Sequence, residues 1–201
     1  MASLSPSARS TTATPPNAIG SGCSHSIAAT WSEARRKRMA EAARIRDYQS
    51  SDAYEVNRLA VAAFEQFRDA FDDWPAMRAG LSKTSELSSG GEIIVAELGD
   101  RLAGAVSYFG PGVKKAAFFD QAWPVIRMLV VDPVDRGKGL GHALTSECLA
   151  RARRDRCRTI ALHTSPIMTI ALPMYLRMGF SKVHDAPPIH GVPYAVYTKA
   201  L

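Results

Sequence analysis

The chain has 201 residues, 46% of them hydrophobic, so it is long enough to bury the core of one globular domain. Its formal net charge of +6 does not indicate nucleic-acid binding, because aromatic residues do not interleave with the basic runs Arg35–Arg38 and Arg151–Arg158. No apolar run approaches the roughly 18 residues that span a bilayer, which predicts a soluble protein without membrane contact. The cysteines Cys23, Cys148 and Cys157 show neither metal-ligand spacing nor even pairing, so no metal is expected and a reducing cytoplasm is favoured.

Residues 1–43 are predicted to form a disordered extension ahead of a folded domain at residues 44–201. Ser, Thr, Ala and Pro are abundant in the first part of this extension, and no hydrophobic period is present. A short basic helix is predicted at its end, over Trp31–Ala43.

Strands and helices alternate along the predicted domain. Ile45–Tyr48 is predicted as a strand, and Ser51 and Asp52 can cap a helix that runs to about Phe67. Further helices are predicted at Trp74–Leu81, from Gly139 to about Arg156, and within Thr169–Met178. Apolar runs predict five more strands: Glu92–Leu98, Arg101–Phe109, the central strand Val125–Val131, Thr159–Thr164 and Tyr194–Lys199. Because a helix connects the central strand with the strand after it, these two should be parallel, which gives an α/β fold with a mixed sheet.

A turn rich in glycine and positive charge joins the central strand to the following helix. Gly137, Gly139 and Gly141 allow the backbone to approach an anion closely, and the N–H groups of the helix N-terminus point toward the same place. Arg136 and Lys138 add positive charge beside it. The turn therefore predicts a site for a phosphorylated ligand.

Two widespread phosphate-binding loops fit this turn poorly. A Walker loop needs Ser or Thr after Gly137-Lys138, where this chain has Gly139. A dinucleotide fingerprint that begins at Gly137 needs a third glycine where the chain has His142. The turn alone therefore does not identify the ligand, and the sequence around it has to be considered.

Written as Arg136-x-x-Gly139-x-Gly141, the turn resembles the acyl-coenzyme A signature of the GNAT N-acetyltransferase superfamily. Further along, Ala171-x-x-x-Tyr175-x-x-x-Gly179-Phe180 is similar to the second signature of that family. The two signatures occur in the family's order and at a suitable separation, and the resemblance spans about residues 45–201. It implies an α/β fold of the α+β type, in which helices flank a central mixed sheet and the parallel central strands splay apart.

The resemblance implies that acetyl-CoA is the co-substrate and that no metal is needed. The expected pyrophosphate site consists of backbone N–H groups in the turn: Arg136, Gly137, Lys138, Gly139, Leu140, Gly141 and His142. The pantetheine arm would pair with Leu129, Val130 and Val131, where the central strand of the family bulges and leaves an N–H free to polarise the thioester carbonyl. Tyr175 aligns with the general acid that protonates the departing thiolate; the alternative is a buried tyrosine with a satisfied hydroxyl.

The expected reaction is transfer of an acetyl group to a primary amine of a small molecule, by direct attack in a ternary complex. A protein N-terminus or lysine is an alternative acceptor, and a non-catalytic acyl-CoA-binding module is an alternative of another class. A homodimer is a further option, since many relatives dimerise.

The general base and the acceptor site are less defined. Many GNAT enzymes carry a glutamate on the central strand, but Val125–Met128 contains no carboxylate, which leaves His163, Glu97 or water as candidates. Two departures from the family pattern are Met168, where an asparagine often stands, and Pro173 inside the tyrosine helix. The acceptor site is expected from these segments: Phe67, Phe71-Asp72-Asp73-Trp74, Phe118–Trp123 and a loop at Asp185–Tyr194. The two aspartates can hold a cationic amine or simply cap a helix among core aromatics.

Overall fold

A seven-stranded sheet organises residues 43–201, the part of the chain that the computed structural model describes. Its strands are β1 (Arg44–Asp47), β2 (Glu92–Leu98), β3 (Arg101–Phe109), β4 (Val125–Val131), β5 (Thr159–Thr164), β6 (Ser181–Ile189) and β7 (Val192–Ala200). The α-helices are α1 (Ala53–Phe64), α2 (Trp74–Leu81), α3 (Leu140–Arg154) and α4 (Ala171–Arg177), and 3-10 helices occupy Ser50–Asp52, Glu65–Ala70, Thr84–Ser89 and Pro133–Asp135. The predicted N-terminal extension, including its basic helix, lies outside the described residues apart from Ala43. None of the described helices is long and apolar enough to cross a membrane.

The strand order is β1-β2-β3-β4-β5-β7-β6, and β4 and β5 are the parallel pair. They are parallel because α3 carries the chain from the end of β4 back to the start of β5. They align over two residue pairs, Val125 with Ala161 and Ile126 with Leu162, and separate beyond Ile126. The predicted fold class, a mixed sheet flanked by helices with splayed parallel central strands, is confirmed.

The alternating side chains of β2 show how helices cover both faces of the sheet. Ile93 and Val95 pack in a buried cluster with α1, whereas Ile94 and Ala96 pack in a second cluster with α3. Successive strand residues point to opposite faces, so a strand buried on both sides has an unbroken apolar sequence. The buried residues of α1 are Val56, Leu59, Ala60 and Ala63, and those of α3 include Leu140, Leu144, Cys148 and Ala152.

The first helix is shorter than the sequence predicts. α1 ends at Phe64, and the chain continues as the 3-10 helix Glu65–Ala70. Phe64 and Phe67, predicted to lie on the buried stripe, are only half-buried and contact each other edge to face with ring centroids 6.2 Å apart. The tighter helix changes the direction of the side chains at the end of the stripe.

The hairpin β6–β7 corrects the prediction of a loop at residues 185–194. β6 includes Pro187 and Pro188, and the turn lies at His190 and Gly191, whose φ angles are 43° and 82°. Two prolines argue against a strand with neighbours on both sides, because proline has no N–H to donate. β6 is an edge strand with β7 as its neighbour, so the donor missing from its outer side breaks no ladder hydrogen bond. The donor missing from the side of β7 falls where the pairing shifts register, between Ala186 and Ile189.

Candidate active site

The turn after β4 is shaped by two glycines in the left-handed region. Gly137 has a φ of 78° and Gly139 a φ of 87°, conformations that residues with a Cβ rarely adopt. α3 begins at Leu140, and its first i→i−4 hydrogen bond runs from the Ala143 N–H to the Gly139 carbonyl, 3.0 Å. The N–H groups ahead of Ala143 therefore lie before the hydrogen-bond ladder of the helix and are the ones that an anion can accept from.

A buried carboxylate holds this turn in place. Asp135 is fully buried and accepts hydrogen bonds from Arg101, at 2.6 and 2.8 Å, and from the Lys138 Nζ, at 2.6 Å. The Arg101 bonds, followed by the Lys138 bond, hold the pKa of Asp135 below its usual range against the opposing effect of burial. The Lys138 side chain therefore binds a buried carboxylate at the start of the turn instead of pointing away from the protein.

Arg136 also points toward the protein. Its guanidinium donates to the Ala63 carbonyl at 3.0 Å and to the Gln66 Oε1 at 2.9 Å, which ties the turn to the end of α1. The sequence predicts positive side chains beside the anion, but in this structure both Arg136 and Lys138 bond to the protein's own acceptors. Backbone N–H groups are what the turn itself offers to a phosphate.

A β-bulge interrupts β4 next to the turn. Val130 pairs with Ala105 and Arg127 pairs with Ser107, so two residues of β4 face the single residue between them on β3. One of the two is Met128, whose φ of 52° is unusual for a residue with a side chain. The bulge lies where β4 leaves β5, which exposes backbone of β4 toward the gap between the strands.

The tyrosine helix packs against the same turn. A Cβ on Gly141 would stand 3.5 Å from the Met174 sulfur and 3.8 Å from the Leu129 Cδ2, so the turn, α4 and the bulge meet at Gly141. Pro173 is the third residue of α4 and lies in its first turn, where no intrahelical N–H is lost. The second sequence signature is thereby placed beside the first.

Tyr175 is 5% exposed, and its ring packs edge to face against Phe180 with centroids 5.7 Å apart. Burial raises its pKa well above the usual range, so the hydroxyl keeps its proton at neutral pH. The ring borders a cleft, and within residues 43–201 the hydroxyl has no hydrogen-bond partner. A protonated phenol beside a cleft is able to donate its proton to a ligand.

The cleft has a volume of about 310 Å³ and connects the bulge with the C-terminal hairpin. Its walls come mainly from four parts of the chain: residues 76–87, 126–129, 162–164 and 189–194, with Phe64, Met168, Ala171 and Tyr175 completing them. The cationic or titratable nitrogens among these lining residues belong to Lys83, Arg127, His163 and His190, and no lining residue is Asp or Glu.

The two base candidates fall in different places. Glu97 lies on β2 and binds Arg46 at 2.6 Å, in an ion pair that joins β1 to β2 and does not border the cleft. His163 does line the cleft, stacked on Phe118 at 5.7 Å and packed against Tyr194 at 5.3 Å. Burial, assisted by the charge of Arg127, lowers the pKa of His163 to about 4, so its ring is neutral at pH 7 and a weak base.

The segment Phe71–Trp74 adopts the simpler of its two predicted roles. Asp73 caps α2 by accepting from the Ala76 N–H at 2.9 Å, and Phe71 packs against Trp74 and the end of the C-terminal hairpin. Neither these residues nor Phe67 line the cleft. Of the predicted acceptor segments, the C-terminal hairpin contributes Ile189, His190 and Tyr194, while Phe118 and Phe119 contact His163 from a smaller adjoining cavity.

Sequence reasoning missed that Arg127 lines the cleft. Val125–Val131 is otherwise apolar, so one arginine in the middle of this strand was the available signal. Lys83 and Thr164, which also line the cleft, carry no comparable signal, since neither lies in a motif.

The fold and the meeting of bulge, turn and tyrosine define the class of acyl-CoA-dependent acetyltransferases. The model of the acetyltransferase (GNAT) family matches residues 42–180, and the chain therefore belongs to this family of acetyl-CoA-using enzymes. No group of three or more His, Cys, Asp or Glu side chains within residues 43–201 is arranged to hold a metal ion.

The chain is similar to a known relative over a short segment and to solved structures over most of its length. The chain is 39% identical over 72 residues to the mycothiol acetyltransferase of Cellulomonas flavigena, a match that covers 34% of this chain and only 21% of that protein. A GCN5-related N-acetyltransferase from Rhodopseudomonas palustris shares the fold at a TM-score of 0.63 and 21% identity, covering 79% of this chain and 95% of that one. A GNAT family acetyltransferase from Elizabethkingia anophelis, solved with acetyl-CoA bound, has a TM-score of 0.54 and 15% identity, with 80% and 99% covered.

Proposed function

We propose that this chain transfers the acetyl group of acetyl-CoA to a primary amine of a small molecule, by direct attack of the amine in a ternary complex. The observation that carries the proposal is the cleft that joins the bulge of β4 to Tyr175. Its volume of about 310 Å³ and its walls from several segments favour a small acceptor over an extended protein chain.

The residues present fit acetyl-CoA. The N–H groups at the start of α3 are the proposed pyrophosphate donors, supported by the left-handed glycines and by the attachment of the turn through Asp135. The backbone of Leu129, Val130 and Val131 is the proposed partner of the pantetheine amides, because β4 has no pairing with β5 beyond Ile126. When bound, the coenzyme supplies a thioester carbonyl.

In the proposed reaction, a bulge N–H polarises that carbonyl, and a donor of this kind typically contributes about 3 kcal/mol. The new C–N bond forms as the C–S bond breaks, and Tyr175 donates its proton to the departing sulfur. The amine nitrogen loses a proton to solvent as the amide forms, and solvent returns a proton to Tyr175. The largest contribution of the chain is to hold both reactants in line.

Replacement of Tyr175 by Phe tests this role, because the ring is kept and only the hydroxyl is removed. We expect turnover, measured as thiol release from acetyl-CoA over a panel of amines, to fall about 10²- to 10⁴-fold. The rise in melting temperature caused by acetyl-CoA should be unchanged. Tyr54→Phe is the matched control, since Tyr54 is 76% exposed on α1.

Equal turnover of the wild type and Tyr175→Phe would remove Tyr175 from the mechanism. Stabilisation by acetyl-CoA without thiol release for any amine would favour a non-catalytic binding module. No stabilisation by millimolar acetyl-CoA would contradict the proposed coenzyme site itself.

A further inference from the structure

The side chains around the acceptor end of the cleft are unbalanced in charge. Lys83 and Arg127 both line it, and no lining residue carries a carboxylate. Neither cation forms an ion pair within residues 43–201. A ligand that enters this end of the cleft therefore meets fixed positive charge without a compensating negative one.

Arg127 is exposed, and it differs from Arg46 and Arg151, which are both paired with carboxylates. Arg46 is bonded to Asp52 and Glu97, and Arg151 to Asp47, Glu92 and Glu147. Arg127 has no such partner and stands over the Phe109 ring at 5.4 Å from its centroid. Solvent reaches its side chain, yet enough protein surrounds the guanidinium that burial lowers its pKa, as expected for a charge in a concave surface.

A guanidinium without a counter-ion is free to bind an anion, and its planar fork of N–H donors matches the two oxygens of a carboxylate. Arg127 is also the residue next to the bulge residue Met128, so a carboxylate bound to it is held close to the thioester end of the cleft. Met77, Leu81 and Leu87 add an apolar wall. One acceptor molecule has to carry a negative charge for Arg127, reach the bulge, and contact the apolar wall.

We infer that the acceptor is a primary amine that also carries a carboxylate on an apolar body, with Arg127 as the carboxylate-binding residue and Lys83 assisting it. The inference rests on the proposed acetyl transfer and names the substrate class of the same site. We expect protonated polyamines to be poor acceptors, because no residue that lines the cleft is Asp or Glu and could hold a second ammonium group.

The test compares common L-amino acids with their carboxamides, which keep the amine and the side chain and remove only the negative charge. Spermidine and a phosphonate analogue of one amino acid complete the panel. We expect kcat/KM to be about 10- to 100-fold higher for carboxylates of apolar amino acids than for their amides. An amide lowers the pKa of the neighbouring amine, so a larger fraction of each carboxamide is present as the neutral amine that attacks. This difference favours the carboxamides and therefore works against the expected result.

Arg127→Gln should remove this preference by lowering kcat/KM for the carboxylates while leaving that for the amides within about threefold. Arg127→Lys, which keeps the charge and loses the two-pronged geometry, should retain part of it. Arg68→Gln removes the same charge from the 3-10 helix outside the cleft, where Arg68 is 58% exposed, and is the matched control. Melting temperatures confirm that each variant is folded.

Binding separates failure of this inference from failure of the proposed function. The same amino acids are titrated calorimetrically into the protein saturated with coenzyme A, for the wild type and Arg127→Gln. Binding that Arg127→Gln abolishes supports the inference even if no amine releases thiol, and in that case only the proposed transfer fails. Equal or better use of amides or spermidine, preference for the phosphonate over every carboxylate, or no carboxylate binding to the wild type would overturn it.

Discussion

The proposed coenzyme side and the proposed acceptor side of the cleft are built in different ways. The coenzyme side consists of backbone: the left-handed Gly137 and Gly139, the start of α3 and the bulge at Met128. The acceptor side consists of side chains, such as Lys83, Arg127 and His190, that come from distant parts of the chain. A backbone site needs particular residues at fixed spacing, so it can be recognised in the sequence as a local motif. A wall of side chains from distant parts of the chain has no such motif.

The largest expected effect on the coenzyme side comes from Asp135→Asn. This change leaves Arg101 and Lys138 without their shared buried carboxylate and should lower the free energy of unfolding by about 2–3 kcal/mol, less than for a fully buried pair because both cations are partly exposed. KM for acetyl-CoA should rise while the preference among acceptors is unchanged. Urea unfolding and steady-state kinetics measure the two effects.

The pH dependence of this anchor has a definite sign. The folded-state pKa of Asp135 is lowered, so its stabilisation is present above the unfolded pKa of roughly 4 and is lost as the pH falls through the folded value. Glu65→Gln, in an exposed pair with Arg68, is the control and should change stability by less than about 0.5 kcal/mol. A change in acceptor preference in Asp135→Asn would show that the two sides of the cleft are not separable.

A smaller effect is expected from Gly139→Ala. A Cβ at a φ of 87° is strained by about 1–2 kcal/mol and also moves the backbone away from the phosphate, so affinity for acetyl-CoA should fall about tenfold or more. Gly112→Ala is a matched control, because Gly112 has a φ of 75° and open space around it in a loop away from the turn. Calorimetric titration with acetyl-CoA compares them, and equal losses in both variants would mean that strain alone causes the effect.

The smallest effect belongs to His163 on the acceptor side. Its folded pKa of about 4 lies below the unfolded value of about 6.5, so the unfolded state binds more protons between these values. The wild type should therefore lose stability as the pH falls from 6.5 to 4, and His163→Phe, which keeps an aromatic ring, should lose about 1–2 kcal/mol less over this range. His184→Gln, at an exposed position on β6, is the control. Parallel stability profiles for the wild type and His163→Phe would contradict the lowered pKa.

The same contrast explains what could be predicted from the sequence. The strands Glu92–Leu98 and Val125–Val131 and the helix Trp74–Leu81 were predicted with the bounds observed, since apolar period and capping residues determine them locally. The proposed coenzyme site at the start of α3 and the proposed role of Tyr175 depend on motifs of the same local kind. The sequence also places the side chains of Arg136 and Lys138 beside the anion, but they bond to Gln66, Ala63 and Asp135, partners that can be found only in the folded chain.

The remaining differences have a common physical origin. The strand β6 was missed because the tolerance of Pro187 and Pro188 depends on strand order, which the local sequence does not contain. The charge of the cleft was missed because Lys83 and Arg127 are 44 positions apart in the numbering, from 83 to 127, and meet only through packing. Local sequence patterns predict individual helices and strands well, but they predict poorly the clefts that form where these elements pack together.

The edge strand β6 has one more consequence, for association between chains. An exposed strand edge is a template on which another chain can add a strand of its own, and such pairing starts many aggregates. Successive N–H groups of a strand point to opposite sides, so one residue of the pair Pro187-Pro188 removes an N–H donor from this open edge, and the side chains of residues 181–185 are exposed and mostly polar. The prolines that caused β6 to be missed in the sequence therefore also disfavour the addition of a strand from a neighbouring molecule at this edge of the sheet.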